Sequence, residues 1–372
     1  MPKPVVFSGI QPTGNLHVVN YLGAVKNWVE LQNSGKYDCY FCIVDYHSMT
    51  GSMTAEERRE QTLVTAAELM ALGLGGEKST LFVQSHVPEH TELGWMFATV
   101  TPVNELFRMT QFKDKSGGAV VEHFWQKEKQ EILSKYNPGN RELGTLEHTL
   151  DFAIAKYAAI RNEIERQSNV GLLTYPILQA ADVLLYHGTL VPVGQDQVQH
   201  IELMRDIARW FNHRYGDYFP EAKPLLTEIP KVMSLIEPMK KMSKSLGTGH
   251  VIEIGEEPEQ IETKLKKAVT ATEGGGFAPG AENLLNLLKH FGDAKLYKQF
   301  MVAEKSGGIR YGDLKKAVGE SIAQYFTDFR ARRAALLKNP EQVTVALAAG
   351  AEKARSVAEK TMQEVRERVG IR

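Results

Sequence analysis

The chain has 372 residues, of which 43% are hydrophobic and 24% charged, a composition typical of globular proteins. This length predicts two or three domains and a core large enough to need neither disulfides nor metals. The 44 Lys and Arg residues balance the 45 Asp and Glu residues, which excludes a wholly basic, histone-like nucleic-acid binder. Because there is no signal-peptide-like run at the N-terminus and no apolar stretch of membrane-spanning length, we expect a cytoplasmic protein.

Strand and helix patterns alternate through the first part of the chain. Short apolar runs predict buried strands at 4–10, 39–45, 79–84 and 191–194. Helical patterns follow from about residue 17, from Thr54 to about Leu72, at 176–186, and from Asp196 to Gly216. We expect Thr54 and Glu57 to form a capping box, and Asp196 to cap the helix that it begins. This alternation at βαβ spacing predicts an α/β fold with a doubly wound, Rossmann-like parallel sheet.

Two pairs of residues have spacings that metal or redox sites also use. Cys39 and Cys42 fit a redox pair or half of a zinc site. The run around them is aromatic and β-branched, so a buried strand with the two thiols on opposite faces is the better interpretation. His86 and His90 are separated by Pro88, which we expect to place them in a loop rather than on one helical face.

The rest of the chain departs from this alternation. Residues 117–168 are charged and predict a helical insertion, and residues 220–250, rich in Pro, Lys, Ser and Gly, predict a mobile loop. From about residue 256 the pattern is helical, and residues 329–372 carry ten Lys and Arg against five acidic residues, which predicts a modest basic surface. We therefore predict an α/β domain, a linker and an all-helical domain, at 1–230, 231–255 and 256–372.

Two segments carry residues suited to binding phosphate. The turn after the first strand leads into a helix N-terminus, where free backbone N–H groups and the positive end of the helix dipole favour an anion. Polar side chains border this turn at Gln11, Thr13, His17 and Asn20. At 240–245 the sequence KKMSKS places three lysines and two serines where they can hold several phosphate oxygens at once. A capped surface helix and a basic linker would look similar, although the apolar Met242 makes a plain linker less suitable.

One carboxylate in the second half of the sheet domain needs an explanation. Asp182 lies between Ala181 and Val183 in an apolar helix, and a buried carboxylate requires a hydrogen-bonding partner. An N–H group of a ligand would meet that need. The polar run GQDQ follows at 194–197, directly after a predicted strand, so it is expected to lie at the same edge of the sheet.

Several segments, taken in order, resemble one family. FSGIQPTGNLHVVNYLGA at 7–24 resembles the first signature of class I aminoacyl-tRNA synthetases, and KMSKS at 241–245 matches their second signature letter for letter. Other segments resemble blocks of the bacterial tryptophanyl-tRNA synthetases, in the expected order: CIVDYH, TLFVQSHVPEH, RMTQFKDKS, LLTYPILQAADVLLY and LVPVGQDQVQHIEL. Together they cover most of residues 5–250.

The resemblance implies an enzyme that activates L-tryptophan with ATP and transfers it to tRNA(Trp). The tryptophan carboxylate attacks the α-phosphate in line, pyrophosphate leaves, and the adenylate then esterifies the terminal ribose of the tRNA. The resemblance also implies a homodimer, Mg²⁺ bound between the phosphates, and an anticodon-binding role for the helical domain at 256–372.

The same resemblance implies the residues of two sites. The nucleotide site comprises Gln11, Pro12, Thr13, His17, Val19, Asn20, Gly194, Gln195, Asp196, Val232, Lys241, Met242, Ser243, Lys244 and Ser245. The catalytic residues would be Gln11, Lys115, Lys241 and Lys244, the three lysines holding the departing pyrophosphate. The tryptophan site comprises Phe7, His47, Tyr175, Gln179, Asp182, Val191, Val193 and Gln197. Asp182 would accept the indole N–H, and the backbone of Val232 would contact adenine.

The chain departs from the family pattern at Val19, where the first signature normally has glycine. A valine adds three carbons where adenine is expected to lie against the helix backbone, which predicts a shifted adenine or weakened ATP binding. Gln179 stands where the family usually has an apolar residue beside the indole ring, and Gln195 replaces a common acidic residue.

Two alternatives remain open at this stage. A tyrosyl-tRNA synthetase shares the fold and would pair a tyrosine hydroxyl with polar groups on the first strand and on the Asp182 helix. Phe7 on that strand and the block TQFKDKS favour tryptophan instead. A catalytically weakened, tRNA-binding paralogue would account for Val19. A plain phosphate-binding α/β protein would leave the ordered blocks unexplained.

Overall fold

A five-stranded parallel sheet forms the centre of the molecule. The computed structural model describes residues 2–115, 154–155, 158, 169–226, 230–270 and 279–371. In it the strand order is β3-β2-β1-β4-β5, and every pairing is parallel. The strands are β1 Val5–Ile10, β2 Asp38–Ile43, β3 Thr80–Val83, β4 Leu190–Val193 and β5 Lys223–Leu226. The predicted doubly wound parallel sheet is confirmed.

One strand lies where the sequence predicts only a loop. Strand β5 falls within 220–250 and pairs with β4 at the edge of the sheet. Its four residues, Lys-Pro-Leu-Leu, include Pro224, which an edge strand accommodates because it needs hydrogen bonds on one side only. The sequence pattern missed β5 because a run this short, with a proline, carries no strand periodicity.

Helices cover both faces of the sheet and form the C-terminal part. The first seven are α1 Val18–Asn20, α2 Lys26–Asn33, α3 Asp45–Ser48, α4 Ala55–Ala71, α5 Glu89–Ala98, α6 Val103–Phe107 and α7 Thr110–Lys115. The others are α8 Val170–Leu184, α9 Val198–Tyr215, α10 Pro258–Lys267, α11 Pro279–Phe291, α12 Ala294–Lys305, α13 Tyr311–Tyr325, α14 Thr327–Lys338 and α15 Pro340–Val369. None of these helices is both long and apolar enough to cross a membrane. The predicted insertion at 117–168 lies outside the described residues, apart from the helical residues 154, 155 and 158.

Helix boundaries agree with the sequence at some ends and differ at others. Thr54 and Glu57 form the predicted capping box of α4. Asp196 does not cap α9: it lies in a 3₁₀ turn, and the N-cap is Gln197. Helix α8 begins six residues before the predicted start at 176, because Asn169 caps it by accepting the N–H of Leu172. A π-helical turn at Tyr21–Val25 joins α1 to α2.

The core lies on both faces of the sheet, and the cysteine pair shows the alternation. Cys39 packs into the cluster on one face and Cys42 into the cluster on the other, so β2 is the predicted buried strand. Burial raises the pKa of the Cys39 thiol to about 11. The two residues are therefore core side chains in a strand.

The last two helices return to the sheet domain. Helices α10 and α11 both pack on α13, whereas α14 packs on α4 and α15, and α15 also packs on β3, α4 and α5. At Gly350 the backbone of α15 approaches so closely that a Cβ would lie 1.9 Å from the carbonyl oxygen of Leu81 in β3. The predicted division at 256 groups α15 with the helical domain, and this helix contacts both α14 of that domain and β3, α4 and α5 of the sheet domain.

Candidate active site

A cavity of about 440 Å³ opens at the carboxyl ends of the central strands. Strand β1 pairs with β2 on one side and with β4 on the other, so the order in which the strands are added reverses beside β1. This arrangement creates a crevice at the carboxyl edge of the sheet, where proteins with this topology bind their ligands. The cavity walls come from the ends of β1 and β4 and from α8.

The structure brings most of the predicted site residues to this cavity. All eight residues predicted to bind tryptophan line it: Phe7, His47, Tyr175, Gln179, Asp182, Val191, Val193 and Gln197. From the predicted nucleotide set, the lining includes Gln11, Val19, Asn20, Gly194, Asp196 and Lys241. Residues separated by more than two hundred positions in the sequence therefore border one space.

Other predicted residues are described but do not line the cavity. These are Pro12, Thr13, His17, Gln195, Val232, Met242, Ser243, Lys244 and Ser245. Met242 and Val232 are buried, and the Met242 N–H donates to the Val232 carbonyl. The Lys115 side chain lies outside the described part of the chain. The roles of all these residues stay predictions.

Asp182 lines the cavity and is the centre of a hydrogen-bond network. The side chain is 2% exposed. Its Oδ1 accepts from Gln84 Nε2 at 2.6 Å and lies 2.7 Å from His90 Nδ1. Its Oδ2 lies 2.8 Å from His47 Nε2. The other ring nitrogen of His90, Nε2, forms a hydrogen bond of 2.9 Å with the Tyr186 hydroxyl. The buried carboxylate therefore has the partners that its burial requires.

These partners keep Asp182 negatively charged. Burial by itself would raise the pKa of this carboxyl, but the charges and hydrogen bonds of His47 and His90 outweigh burial and hold the pKa well below its usual range. A carboxylate that stays ionised is an acceptor only, so this part of the cavity selects for a donor group on any ligand.

The sequence did not identify Gln84 and His90 as members of this network. His90 lies in α5 rather than in the predicted loop, because Pro88 is the N-cap of that helix instead of a break within it. Gln84 directly follows β3. A polar residue right after a buried strand was the available signal, since it must lie at the carboxyl edge of the sheet.

The turn between β1 and α1 is fixed by local hydrogen bonds. His17 is the N-cap of α1, and its Nδ1 accepts the N–H groups of Val19 at 3.2 Å and Asn20 at 3.3 Å. Asn20 Oδ1 accepts the His17 N–H in return, at 3.2 Å. Burial, together with the charges of Lys244 and Lys241, lowers the pKa of His17 to about 4. The imidazole is therefore neutral, with its proton on Nε2.

The KMSKS segment lies beside this turn. Lys241 reaches the cavity, and an isolated bridge pairs it with Met233. Lys244 donates to the carbonyl oxygen of Asn15 in the turn and lies 4.0 Å from Glu253 Oε1. By contrast, Lys240 pairs with Glu237 at 2.5 Å on the exposed side. Lys241 and Lys244 are therefore close to the helix N-terminus, whereas Lys240 is not directed toward it.

Fold and site together define a class of protein. A parallel sheet of this strand order, a His17–Asn20 helix start at its carboxyl edge, and a KMSKS loop beside that start are the architecture of class I aminoacyl-tRNA synthetases. The family model described as "tRNA synthetases class I (W and Y)" matches residues 2–134 and 121–327. The chain belongs to this family.

Individual relatives match along the whole chain. It is 40% identical over 377 aligned residues to tryptophan–tRNA ligase 2 of Streptomyces avermitilis, covering 99% of this chain and 97% of the relative. It is 38% identical to the tryptophan–tRNA ligase of Wolinella succinogenes, with 100% of each chain covered. Among solved structures, tryptophanyl-tRNA synthetase from Campylobacter jejuni, complexed with ADP and tryptophan, superposes with a TM-score of 0.75 at 30% identity. That match covers 98% of this chain and 99% of the other.

Proposed function

We propose that this chain is an ATP-dependent tryptophan–tRNA ligase, which forms tryptophanyl-adenylate and transfers the amino acid to tRNA(Trp). The observation that carries the proposal is the buried, ionised Asp182 in a cavity that apolar side chains, Phe7, Val191 and Val193 among them, also line. The names of the full-length relatives support the same activity.

The cavity suits an indole ring. Each carboxylate oxygen accepts about two hydrogen bonds, and the described residues supply two donors to Asp182 Oδ1 but one to Oδ2. One acceptor position on Oδ2 is thus available for the indole N–H. Phe7, Val191 and Val193 contribute apolar walls on which the ring can pack. A site built around a buried hydrogen bond can reject analogues that lack the donor by about 10⁴-fold or more.

The nucleotide would occupy the part of the cavity near the start of α1. The phosphates would lie near the positive end of the helix that begins after His17, where the Nε2–H of His17 and the ammonium group of Lys241 could donate to them. In the first step the tryptophan carboxylate oxygen bonds to the α-phosphorus while the bond to the β-phosphate oxygen breaks. Lys241, with Lys244 and Lys115 by family analogy, would stabilise the negative charge on the departing pyrophosphate.

Mg²⁺ would enter with the nucleotide and neutralise charge on the phosphate oxygens. The residues that the structure describes contain no cluster of three His, Cys, Asp or Glu side chains to hold such an ion. Binding of tRNA(Trp) to the helices that follow residue 256, a homodimeric state and a cytoplasmic location complete the proposal.

The test is amino-acid-dependent exchange of pyrophosphate into ATP by the full chain, with tryptophan, tyrosine and phenylalanine compared. Exchange with tryptophan alone supports the proposal. Exchange with tyrosine would identify the tyrosine enzyme instead. No exchange with any of the three, combined with binding of tRNA(Trp) in a filter assay, would favour a paralogue that has lost catalysis.

A further inference from the structure

A second buried carboxylate, outside the cavity, joins distant parts of the chain. Glu68 in α4 is fully buried, at 0% exposure. Its Oε2 accepts the N–H of Leu16 at 2.7 Å, and its Oε1 accepts from Nε of Arg333 at 2.9 Å. Arg333 lies on α14 and is 265 residues away in sequence. A C-terminal helix therefore reaches the residues directly before His17.

Asn15 extends this network to the KMSKS segment. Its Oδ1 accepts from Nη2 of Arg333 at 3.2 Å, and its Nδ2 donates to Oε2 of Glu253 at 2.8 Å. Its main-chain oxygen accepts from Nζ of Lys244. The two ends of the guanidinium thus bind Glu68 and Asn15 at once, and Asn15 holds the catalytic-loop lysine.

The backbone leaves space for the guanidinium. A Cβ placed on Gly255 would lie 3.3 Å from Nε of Arg333, a tight contact that the neighbouring atoms would have to relieve. The segment before Gly255 is itself bonded to the turn, since Ile254 N–H donates to the Leu16 carbonyl and Val18 N–H donates to the Ile252 carbonyl. The Arg333 side chain therefore packs against Gly255, next to the segment that is hydrogen-bonded to the turn.

We infer that Arg333 is a positioning residue for ATP: through Glu68 and Asn15 it sets the position of the Asn15–His17 turn and of Lys244. The inference rests on the proposed function. Without the guanidinium, Glu68 is a buried carboxylate with one donor, Leu16 N–H, and Asn15 loses one of its three partners. Burial raises the pKa of Glu68, and the charge and hydrogen bond of Arg333 oppose this rise. Without Arg333 the neutral carboxyl is favoured, and it is a weaker acceptor for the Leu16 N–H of the turn.

The experiment compares Arg333→Met with a matched control in the full-length chain. Arg366 also donates from Nε and Nη2, in its case to both carboxylate oxygens of Glu92, at 2.9 and 2.5 Å, and it joins α15 to α5 away from the turn. We expect Arg333→Met to raise the KM for ATP in tryptophan-dependent exchange about tenfold, with the KM for tryptophan within about twofold. Arg366→Met should lower Tm less, because Glu92 is partly exposed whereas Glu68 is fully buried, and it should leave the KM for ATP within about twofold. Arg333→Lys should recover part of the effect, because an ammonium can reach Glu68 or Asn15 but not both.

An unchanged KM for ATP in Arg333→Met, or an equal change in Arg366→Met, overturns the inference. If Arg333→Met does not fold, Gly255→Ala provides a milder displacement of the same guanidinium and should raise the KM for ATP in the same direction. If the parent chain shows no exchange, the proposed function fails, and calorimetric titration with ATP then tests the positioning role by itself. Weaker ATP binding by the Arg333 variant than by the Arg366 variant supports it, and equal binding refutes it.

Discussion

His47 and Asp182, 135 residues apart in the chain, are joined by a hydrogen bond of 2.8 Å between Nε2 and Oδ2. His47 lies in the short helix after β2, and Asp182 lies near the end of α8. Both side chains are buried, and both line the cavity. The contact therefore joins the two halves of the sheet at the point where a ligand donor group would meet the carboxylate.

Replacing Asp182 by asparagine should weaken tryptophan binding selectively. The amide lacks the negative charge and places an NH₂ group among donors, so the proposed charge-assisted bond to the indole N–H would be lost. Such bonds are worth about 1.5–3 kcal/mol, which corresponds to an increase of about 10- to 100-fold in the KM for tryptophan. Steady-state exchange assays check this, with Asp206→Asn on the exposed face of α9 as the control. An unchanged KM for tryptophan would contradict the indole role.

Lys241 and Lys240 are adjacent lysines with different surroundings. Lys241 lines the cavity, whereas Lys240 pairs with Glu237 at the surface. Lys241→Ala should lower kcat for adenylate formation by about 100-fold, because it removes the positive charge that, in the proposed mechanism, faces the leaving pyrophosphate. Lys240→Ala should change kcat by less than about twofold. Single-turnover measurements on both variants separate the chemical step from binding, and equal losses in the two would show a general charge effect.

Val19 is partly buried and borders the cavity, where the family signature has glycine. We expect Val19→Gly to lower the KM for ATP by about tenfold, since overfilling a packed site costs roughly 1–3 kcal/mol. The same change should cost a few tenths of a kcal/mol of stability, because glycine is the poorer helix former. The KM for ATP of Val19→Ala should lie between those of the parent and of Val19→Gly. If ATP affinity is equal in all three proteins, the cavity accommodates valine without loss.

His17 predicts a pH dependence of stability. The folded pKa is about 4, below the ordinary value of 6.5, so the unfolded chain binds the proton more tightly. The stabilisation is fully present above about pH 6.5 and is lost as the pH falls toward about 4. His17→Asn keeps an N-cap acceptor but does not titrate in this window. Urea unfolding at about pH 7 and pH 5 should therefore show a larger loss of unfolding free energy in the parent than in the variant. Equal losses would contradict the depressed pKa.

The sequence pattern was sufficient for the regular part of the fold. Apolar runs and capping signals located β1 to β4 and the capping box at Thr54, because such signals are local and repeat within a few residues. It missed β5 and placed the cap of α9 one residue early. Both of these depend on contacts with the neighbouring strand or turn rather than on local propensity.

For the candidate site, too, the sequence showed some features and only the structure showed others. The signature letters around His17 and at 241–245, and the apolar surroundings of Asp182, were visible in the sequence, and they named residues that border one cavity. The sequence by itself thus determined the class of fold and the kinds of side chain at the site. Only the tertiary structure decided that Gln84 and His90 complete the partners of Asp182, and that Arg333 reaches Asn15 across the chain. Contacts of this kind have no sequence period, because they depend on how strands and helices pack after they have formed.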